Sequence, residues 1–144
     1  MPFDPSNKII QLCAEGMEAE GKGGIDAAKK IFLKAWELST TDFEKFTAAH
    51  YLARNQKDIS EELKWNTESL RLAVLINEES MKTYFPSLHL NVGKTYEKLK
   101  EIEMAKHHYT SASNFIKYLP DDGYGNMIRN GINEALKRVA PDKI

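Results

Sequence analysis

The 144-residue sequence predicts an all-α fold, in which helical hairpins stack on one another and a C-terminal helix closes the stack. Apolar residues recur at steps of three and four along nearly the whole chain, which places them on one face of successive helices. No segment shows the sustained alternation that is typical of a β-strand. One spacing, from a glycine through an alanine and an aromatic residue to a second alanine, occurs twice. Together these patterns indicate repeated helix pairs.

The first hairpin is predicted over residues 9–42. Asp4 or Ser6 is the expected N-cap of its first helix, and the glycine-rich run at 21–24 ends that helix. In the second helix, Phe32 lies between two alanines. The glycine of this hairpin, Gly16, precedes the first alanine by twelve residues.

The second hairpin, over residues 43–85, is predicted from its register and helix pattern. Thr41 is followed three positions later by Glu44, which is the spacing of a capping box. His50 stands where the glycine of the first hairpin would be. The next hairpin starts 43 residues after this one, nine more than the 34 residues that separate the first two starts, so we expect longer helices or an extended link near residues 77–85.

The third hairpin, over residues 86–119, has the clearest pattern. Gly93 lies on the apolar face of its first helix, and Tyr109 lies between Ala105 and Ala112 on the second. Glycine costs a helix about 1 kcal/mol relative to alanine, so close approach of the partner helix is the expected compensation. Tyr109 would be the large side chain at that contact.

A capping helix is predicted over residues 124–139, after the turn that begins at Pro120. One polar face suits it to close a repeat stack. Met1 to Pro5 are expected to form an irregular lead, and the last residues after 139 are expected to fray. The whole chain, residues 1–144, is predicted to be one domain.

The third hairpin resembles the tetratricopeptide repeat (TPR). Its small–aromatic–small–aromatic–small order is matched at Gly93, Tyr96, Ala105, Tyr109 and Ala112. His89 stands where the family has tryptophan, and the proline comes late, as Pro120. The resemblance implies a small TPR-like protein of the bacterial type, folded as a short right-handed superhelix of three hairpins and a capping helix. It also implies that the first helix of each hairpin lines a concave groove.

Composition excludes several classes of function. Lys and Arg number 20 and Asp and Glu number 21, so the formal charge of −1 gives no global field for nucleic acid or an acidic membrane. No apolar run is long enough to span a bilayer, and the start lacks the apolar core of a secretory signal. With Cys13 as its single cysteine, the chain cannot form an internal disulfide, and the cytoplasm is the expected compartment.

Polar residues that follow the core stripe on the first helices are the predicted groove residues. They are Thr47, Tyr51, Arg54, Asn91, Lys94 and Lys98, with Arg129 from the capping helix at one end. Peptide-binding TPR proteins use Asn, Lys and Arg at such positions, and Asn91 matches the groove asparagine of the motif. The resemblance therefore implies a non-catalytic module that binds an acidic or carboxylate-ended peptide or partner segment. Ordinary exposed polar residues would give the same pattern.

Two other functions stay open at the level of sequence. Self-assembly into a homo-oligomer is suggested by the aromatic pair Tyr84 and Phe85 in the long connection. A small enzyme would have to use His50, Tyr51 and Arg54, which no catalytic motif supports. His107 and His108 are adjacent on a helix and point about 100° apart, so they are not expected to share a metal. No cofactor or metal site is predicted.

Overall fold

The computed structural model describes residues 4–140, and these residues form helices and no strands. The prediction of an all-α chain is confirmed. The predicted irregular lead and frayed end lie largely outside the described residues. The seven α-helices are α1 (Lys8–Gly21), α2 (Ile25–Leu38), α3 (Asp42–Arg54), α4 (Ile59–Ile76), α5 (Phe85–Lys98), α6 (Ile102–Asn114) and α7 (Gly123–Val139). Short 3-10 helices cover Glu79–Thr83 and Ile116–Tyr118.

The chain divides into two compact units, one up to Asn77 and one from Glu78 onwards. The first unit holds the hairpins α1–α2 and α3–α4, and the second holds the hairpin α5–α6 with the closing helix α7. The additional length before the third hairpin is taken up by the 18-residue α4 and by the 3-10 helix that follows it.

Local hydrogen bonds define the helix ends of the first unit. The side chain of Asn7, not of Asp4 or Ser6, caps α1 by accepting hydrogen bonds from the amides of Ile9 and Ile10. The predicted capping box at the start of α3 is confirmed, because Thr41 and Glu44 satisfy each other's backbone amides. Asn7 also donates to Glu44 Oε2 at 2.8 Å, which joins the two helix starts.

The core of the first unit is centred on Phe32, which is fully buried. A Cβ atom added to Gly16 would overlap the Phe32 ring, so α1 and α2 approach too closely for any larger residue. Tyr51 from α3 stacks on the other side of the same ring at 5.0 Å. The buried members of this core are Ile9, Leu12, Cys13, Ala28, Phe32, Ala35, Ala48 and Leu52.

The second hairpin of the first unit has polar residues at the positions where the first hairpin has its glycine and aromatic residue. His50 and Asn66 stand at the positions of Gly16 and Phe32, and Asn66 is buried. Ser69 is fully buried as well, and its hydroxyl donates to Phe46 O at 3.4 Å. The degenerate repeat therefore forms a hairpin because small and amide side chains still allow α3 and α4 to approach.

The second unit repeats the glycine contact that the sequence predicts. A Cβ atom on Gly93 would lie 2.5 Å from Tyr109 Cε1, which confirms that Tyr109 packs directly on the glycine. Tyr109 is fully buried at the centre of this core. The buried members are Leu90, Ala105, Tyr109, Ala112, Leu119, Ile128, Ile132, Ala135 and Val139.

The link from α6 to α7 differs from the sequence prediction. The α-helix ends at Asn114 instead of continuing to Leu119, and the chain passes through a 3-10 turn. Asp122 then caps α7, with its carboxylate accepting from the amide of Gly125 at 2.9 Å. Four residues of α7 enter the core of the second unit, so α7 closes that core as predicted; they are Ile128, Ile132, Ala135 and Val139.

Candidate functional site

In each unit the first helix of a hairpin lies beside the helix two places later in the chain, and each such pair borders a pocket. In the first unit the pocket lies between α1 and α3 and has a volume of about 210 Å³. Its wall is mainly apolar, and the two lining residues from α3 each carry a hydroxyl group. The lining residues are Ile10, Cys13, Ala14, Met17, Thr47 and Tyr51.

Two predicted groove residues, Thr47 and Tyr51, line this pocket. Thr47 is buried, and its hydroxyl donates to Phe43 O at 2.9 Å within α3. The Tyr51 ring is held between Phe32 on one side and the Arg54 guanidinium, whose Cζ lies 4.8 Å from the ring centre. Both side chains therefore contribute mainly apolar surface to the pocket.

Arg54, the third predicted groove residue of the first unit, is bound to Glu20 of α1. Arg54 Nε donates to Glu20 Oε2 at 3.0 Å, and Nη2 donates to Oε1. The side chain of Asn55 donates to the same carboxylate at 2.9 Å. Burial would raise the pKa of Glu20, but these hydrogen bonds outweigh it and hold the pKa below its usual value. The charge of Arg54 is thus largely neutralised within the protein.

The pocket of the second unit has a different chemistry. It lies between α5 and α7, has a volume of about 250 Å³, and is lined by Lys94, Glu97, Lys98 and Arg138. Lys94 and Lys98 are one turn apart and exposed, which brings two predicted groove residues together. Three cationic groups and one carboxylate leave this pocket with a net positive charge.

The other two predicted residues of the second unit lie outside that lining. Asn91 is half-buried on α5, one turn before Lys94. Arg129 hydrogen-bonds the carbonyl oxygens of Leu119 and Pro120, and so stabilises the turn before α7.

Glu97 and Arg138 are pocket residues that the sequence interpretation missed. Arg138 Nε donates to Glu97 Oε2 at 3.0 Å, and Nη2 donates to Oε1 at 3.1 Å. The hydroxyl of Tyr109 donates to the same carboxylate at 2.6 Å. The Arg138 hydrogen bonds, with that of Tyr109, hold the pKa of Glu97 below its usual value. A signal was present: Glu97 follows Gly93 by four residues, as Glu20 follows Gly16.

The three residues of the enzyme hypothesis are neighbours in the first unit. The rings of His50 and Tyr51 meet edge to face at 5.4 Å, and Arg54 lies over Tyr51. Burial, with a smaller effect from the Arg54 charge, lowers the pKa of His50 to about 4. His50 is therefore a neutral imidazole at pH 7, and Arg54 is engaged by Glu20.

A histidine pair in the second unit is a further contact that sequence reasoning missed. His89 Nδ1 lies 3.1 Å from His108 Nδ1, so one ring donates a hydrogen bond to the other. His89 stacks on Phe115, and His108 stacks on Tyr96. Burial and the two neighbouring histidines lower the pKa of His89 to about 4. The Gly93–Tyr109 contact could have predicted this pair, since His108 adjoins Tyr109 and His89 precedes Gly93 by one turn.

Three further features bear on function. Burial raises the pKa of the Cys13 thiol to about 11, which makes it a poor nucleophile. Within residues 4–140, no group of three or more His, Cys, Asp and Glu side chains is placed to hold a metal ion. None of the helices in the described part of the chain has both the length and the apolar character needed to cross a membrane.

The residues that suggested self-association are partly used inside the fold. Met81 is fully buried, and Phe85 packs edge to face on Phe115 at 5.0 Å. Tyr84 is half-buried. Homo-oligomer formation stays a prediction, but it can no longer be based on exposure of Tyr84 and Phe85, since both side chains are half-buried.

The fold is similar to a known structure. The crystal structure of PcrH from Pseudomonas aeruginosa matches with a TM-score of 0.63 at 18% sequence identity, over 95% of this chain and 95% of that chain. PcrH is a type III secretion chaperone with a TPR fold. The chain therefore has a TPR-like fold of helical hairpins. No family model and no curated protein sequence matches it.

Proposed function

We propose that this chain is a non-catalytic protein-binding module of the cytoplasm, which holds an acidic or carboxylate-ended segment of a partner protein. The observation that carries the proposal is the pocket between α5 and α7, where Lys94 and Lys98 are exposed beside Arg138. Ammonium groups on a concave wall are suited to bind carboxylates through charge-assisted hydrogen bonds.

The pocket of the first unit supports the binding of a polypeptide. Its lining by Ile10, Cys13 and Met17 offers apolar surface, and Met17 is 45% exposed. A volume of about 210 Å³ suits one or two apolar side chains of a bound segment. Apolar side chains of a bound partner segment would match the surface of this pocket.

The similarity to PcrH also supports a role in binding proteins, because a chaperone acts on other polypeptides. Fold similarity is a weaker argument than the chemistry of the site, since one fold serves many functions. The acidic character of the proposed ligand is therefore inferred from the charges of Lys94 and Lys98, and not from the similarity to PcrH.

The test is binding of a fluorescently labelled hexaglutamate peptide with a free C-terminus, measured by anisotropy at low salt. Lys94→Ala and Lys98→Ala should each weaken binding by about tenfold, because each removes one charge-assisted contact. A hexaglutamine peptide should bind far more weakly, and added salt should weaken hexaglutamate binding.

Matched controls come from lysines of the second helices. Lys29→Ala on α2 and Lys106→Ala on α6 remove the same charge and should leave binding unchanged. If all four variants bound hexaglutamate equally, the α5–α7 pocket would not be the binding site. Arg54→Ala is a less suitable test, since loss of its ion pair with Glu20 should also lower the melting temperature.

A further inference from the structure

The pocket between α5 and α7 already contains a carboxylate, which is that of Glu97. Glu97 accepts hydrogen bonds from Arg138 and from the Tyr109 hydroxyl. It lines the same pocket as Lys94 and Lys98 and is half-buried there. The carboxylate is thus held by Arg138 of α7 and by the buried Tyr109 of α6, and Lys94 and Lys98 are exposed residues of the same pocket.

This arrangement determines which cations a ligand can use. The Arg138 guanidinium directs two of its N–H groups to Glu97, so its charge is balanced inside the protein. A ligand carboxylate that approaches Lys94 and Lys98 would also meet the negative charge of Glu97. Like charges within a few ångströms repel one another, and the repulsion is strongest at low salt.

We propose that Glu97 is an internal competitor of the ligand, which occupies Arg138 and lowers the affinity of this pocket for acidic partner segments. This inference rests on the function proposed above and names a regulator of the same site. With Arg138 engaged by Glu97, Lys94 and Lys98 are the cations that attract the ligand, so a segment that places an acidic group on each lysine should bind more tightly than one with a single carboxylate. The class of ligand is a polyanionic peptide segment.

The test is the same labelled hexaglutamate peptide with the Glu97→Gln variant. Glutamine keeps an oxygen for the Tyr109 hydroxyl but removes the negative charge and frees the Arg138 guanidinium. Affinity should rise about three- to tenfold at low salt, and the gain should shrink as salt rises. Glu103→Gln on α6, an exposed glutamate, changes the net charge equally and should leave the affinity unchanged.

A second comparison separates charge competition from a loosened structure. Arg138→Gln breaks the same ion pair but leaves Glu97 negative, so it should weaken binding. Adding Glu97→Gln to that variant gives a neutral pair, and the double variant should bind more tightly than Arg138→Gln alone. Because the ion pair is broken in both variants, their comparison measures the effect of the Glu97 charge apart from the loss of that pair.

The outcomes distinguish the two proposals. If binding depends on Lys94 and Lys98 but neither Glu97 substitution strengthens it, Glu97 is no competitor, and the proposed function stands. If hexaglutamate binds neither the parent chain nor Glu97→Gln, both the acidic-segment function and this inference are overturned. Tighter binding by Glu97→Gln and by the double variant, with Glu103→Gln unchanged, establishes the competition.

Discussion

The two units build the same helix contact from different aromatic residues. In the first unit Phe32 packs on Gly16, and in the second unit Tyr109 packs on Gly93. Each aromatic residue follows its glycine by sixteen positions and is fully buried. The same glycine–aromatic contact therefore joins α1 to α2 and α5 to α6, whether or not the aromatic residue carries a hydroxyl.

The two units also share a charged contact between the first helix of a hairpin and the helix two places later. Glu20 of α1 binds Arg54 of α3, and Glu97 of α5 binds Arg138 of α7. The third donor differs, since Glu20 receives the Asn55 amide whereas Glu97 receives the Tyr109 hydroxyl. Each glutamate follows its glycine by four residues. The position of the accepting carboxylate is therefore the same in both units, while the additional group that donates to it differs.

The pocket-facing residues differ most. Met17 lies one residue after Gly16, and Lys94 lies one residue after Gly93, so corresponding positions give an apolar wall in one unit and a cationic wall in the other. Residues that hold the helices together are thus similar in the two units, while residues that face the pockets are not. The fold alone does not determine what each pocket binds.

The largest effect is expected from filling the glycine contacts. Gly93→Leu and Gly16→Leu should each destabilise the protein by at least about 1–3 kcal/mol, because the added side chain meets a fully buried ring. Gly93→Ala should cost more than Gly16→Ala, since the Tyr109 hydroxyl is fixed by Glu97 and the ring has less freedom to move. Urea denaturation at pH 7 measures both differences.

Gly21→Ala is the control for these substitutions, because no atom lies within 4 Å of a Cβ atom added there. Its stability should be unchanged or raised by up to about 1 kcal/mol. A Gly93→Leu variant as stable as the parent would show that Gly93 does not lie at a close contact with Tyr109, and the two hairpins would then not share this contact.

Local patterns and residue size predicted much of the fold correctly. The contact between Gly93 and Tyr109 follows from the cost of glycine in a helix, and the Thr41 capping box follows from a spacing of three residues. The end of α6 at Asn114 was missed, because the apolar spacing continues to Leu119 through a 3-10 turn that keeps a similar period.

The site was predicted less well, because side chains choose partners that are distant in sequence. Arg54 has the spacing of a groove residue, yet its guanidinium binds Glu20, which lies 34 positions away. Glu97 and Arg138 are 41 positions apart, and nothing local links them. The exposure of Lys94 and Lys98 could be predicted, because it follows from the period of the helix alone.

The next largest effect is expected in the pH dependence of stability, to which one histidine of each unit contributes. The pKa of His50 and that of His89 both lie at about 4, against an ordinary value of 6.5. The unfolded chain therefore binds more protons than the folded chain between these values, and stability should fall as pH decreases from about 6.5 towards 4. Each pKa unit corresponds to about 1.4 kcal/mol. We expect a loss of about 2 kcal/mol between pH 7 and pH 5, with half-buried His89 contributing less than His50 because solvent screens it.

Urea denaturation at pH 7, 6 and 5 checks this prediction. His50→Gln should flatten the pH dependence more than His89→Gln. The lowered pKa values of Glu20 and Glu97 act mainly below their usual value of 4.5, so they contribute little in this range. Equal stability at pH 7 and pH 5 would show that neither histidine must stay neutral for folding.

The smallest effect is expected from exchanging the two aromatic residues. Tyr109→Phe removes the hydroxyl that donates to Glu97 and should cost about 1 kcal/mol, while the ring still fills the space over Gly93. Phe32→Tyr should change stability by less than about 0.5 kcal/mol, because Glu20 occupies the matching position and can accept from the new hydroxyl in place of Asn55. Combining Phe32→Tyr with Asn55→Ala should then cost less than Asn55→Ala alone. If Phe32→Tyr instead destabilised the protein by 2 kcal/mol or more, on the order of a buried unpaired hydroxyl, the glutamates of the two units would not be equivalent acceptors.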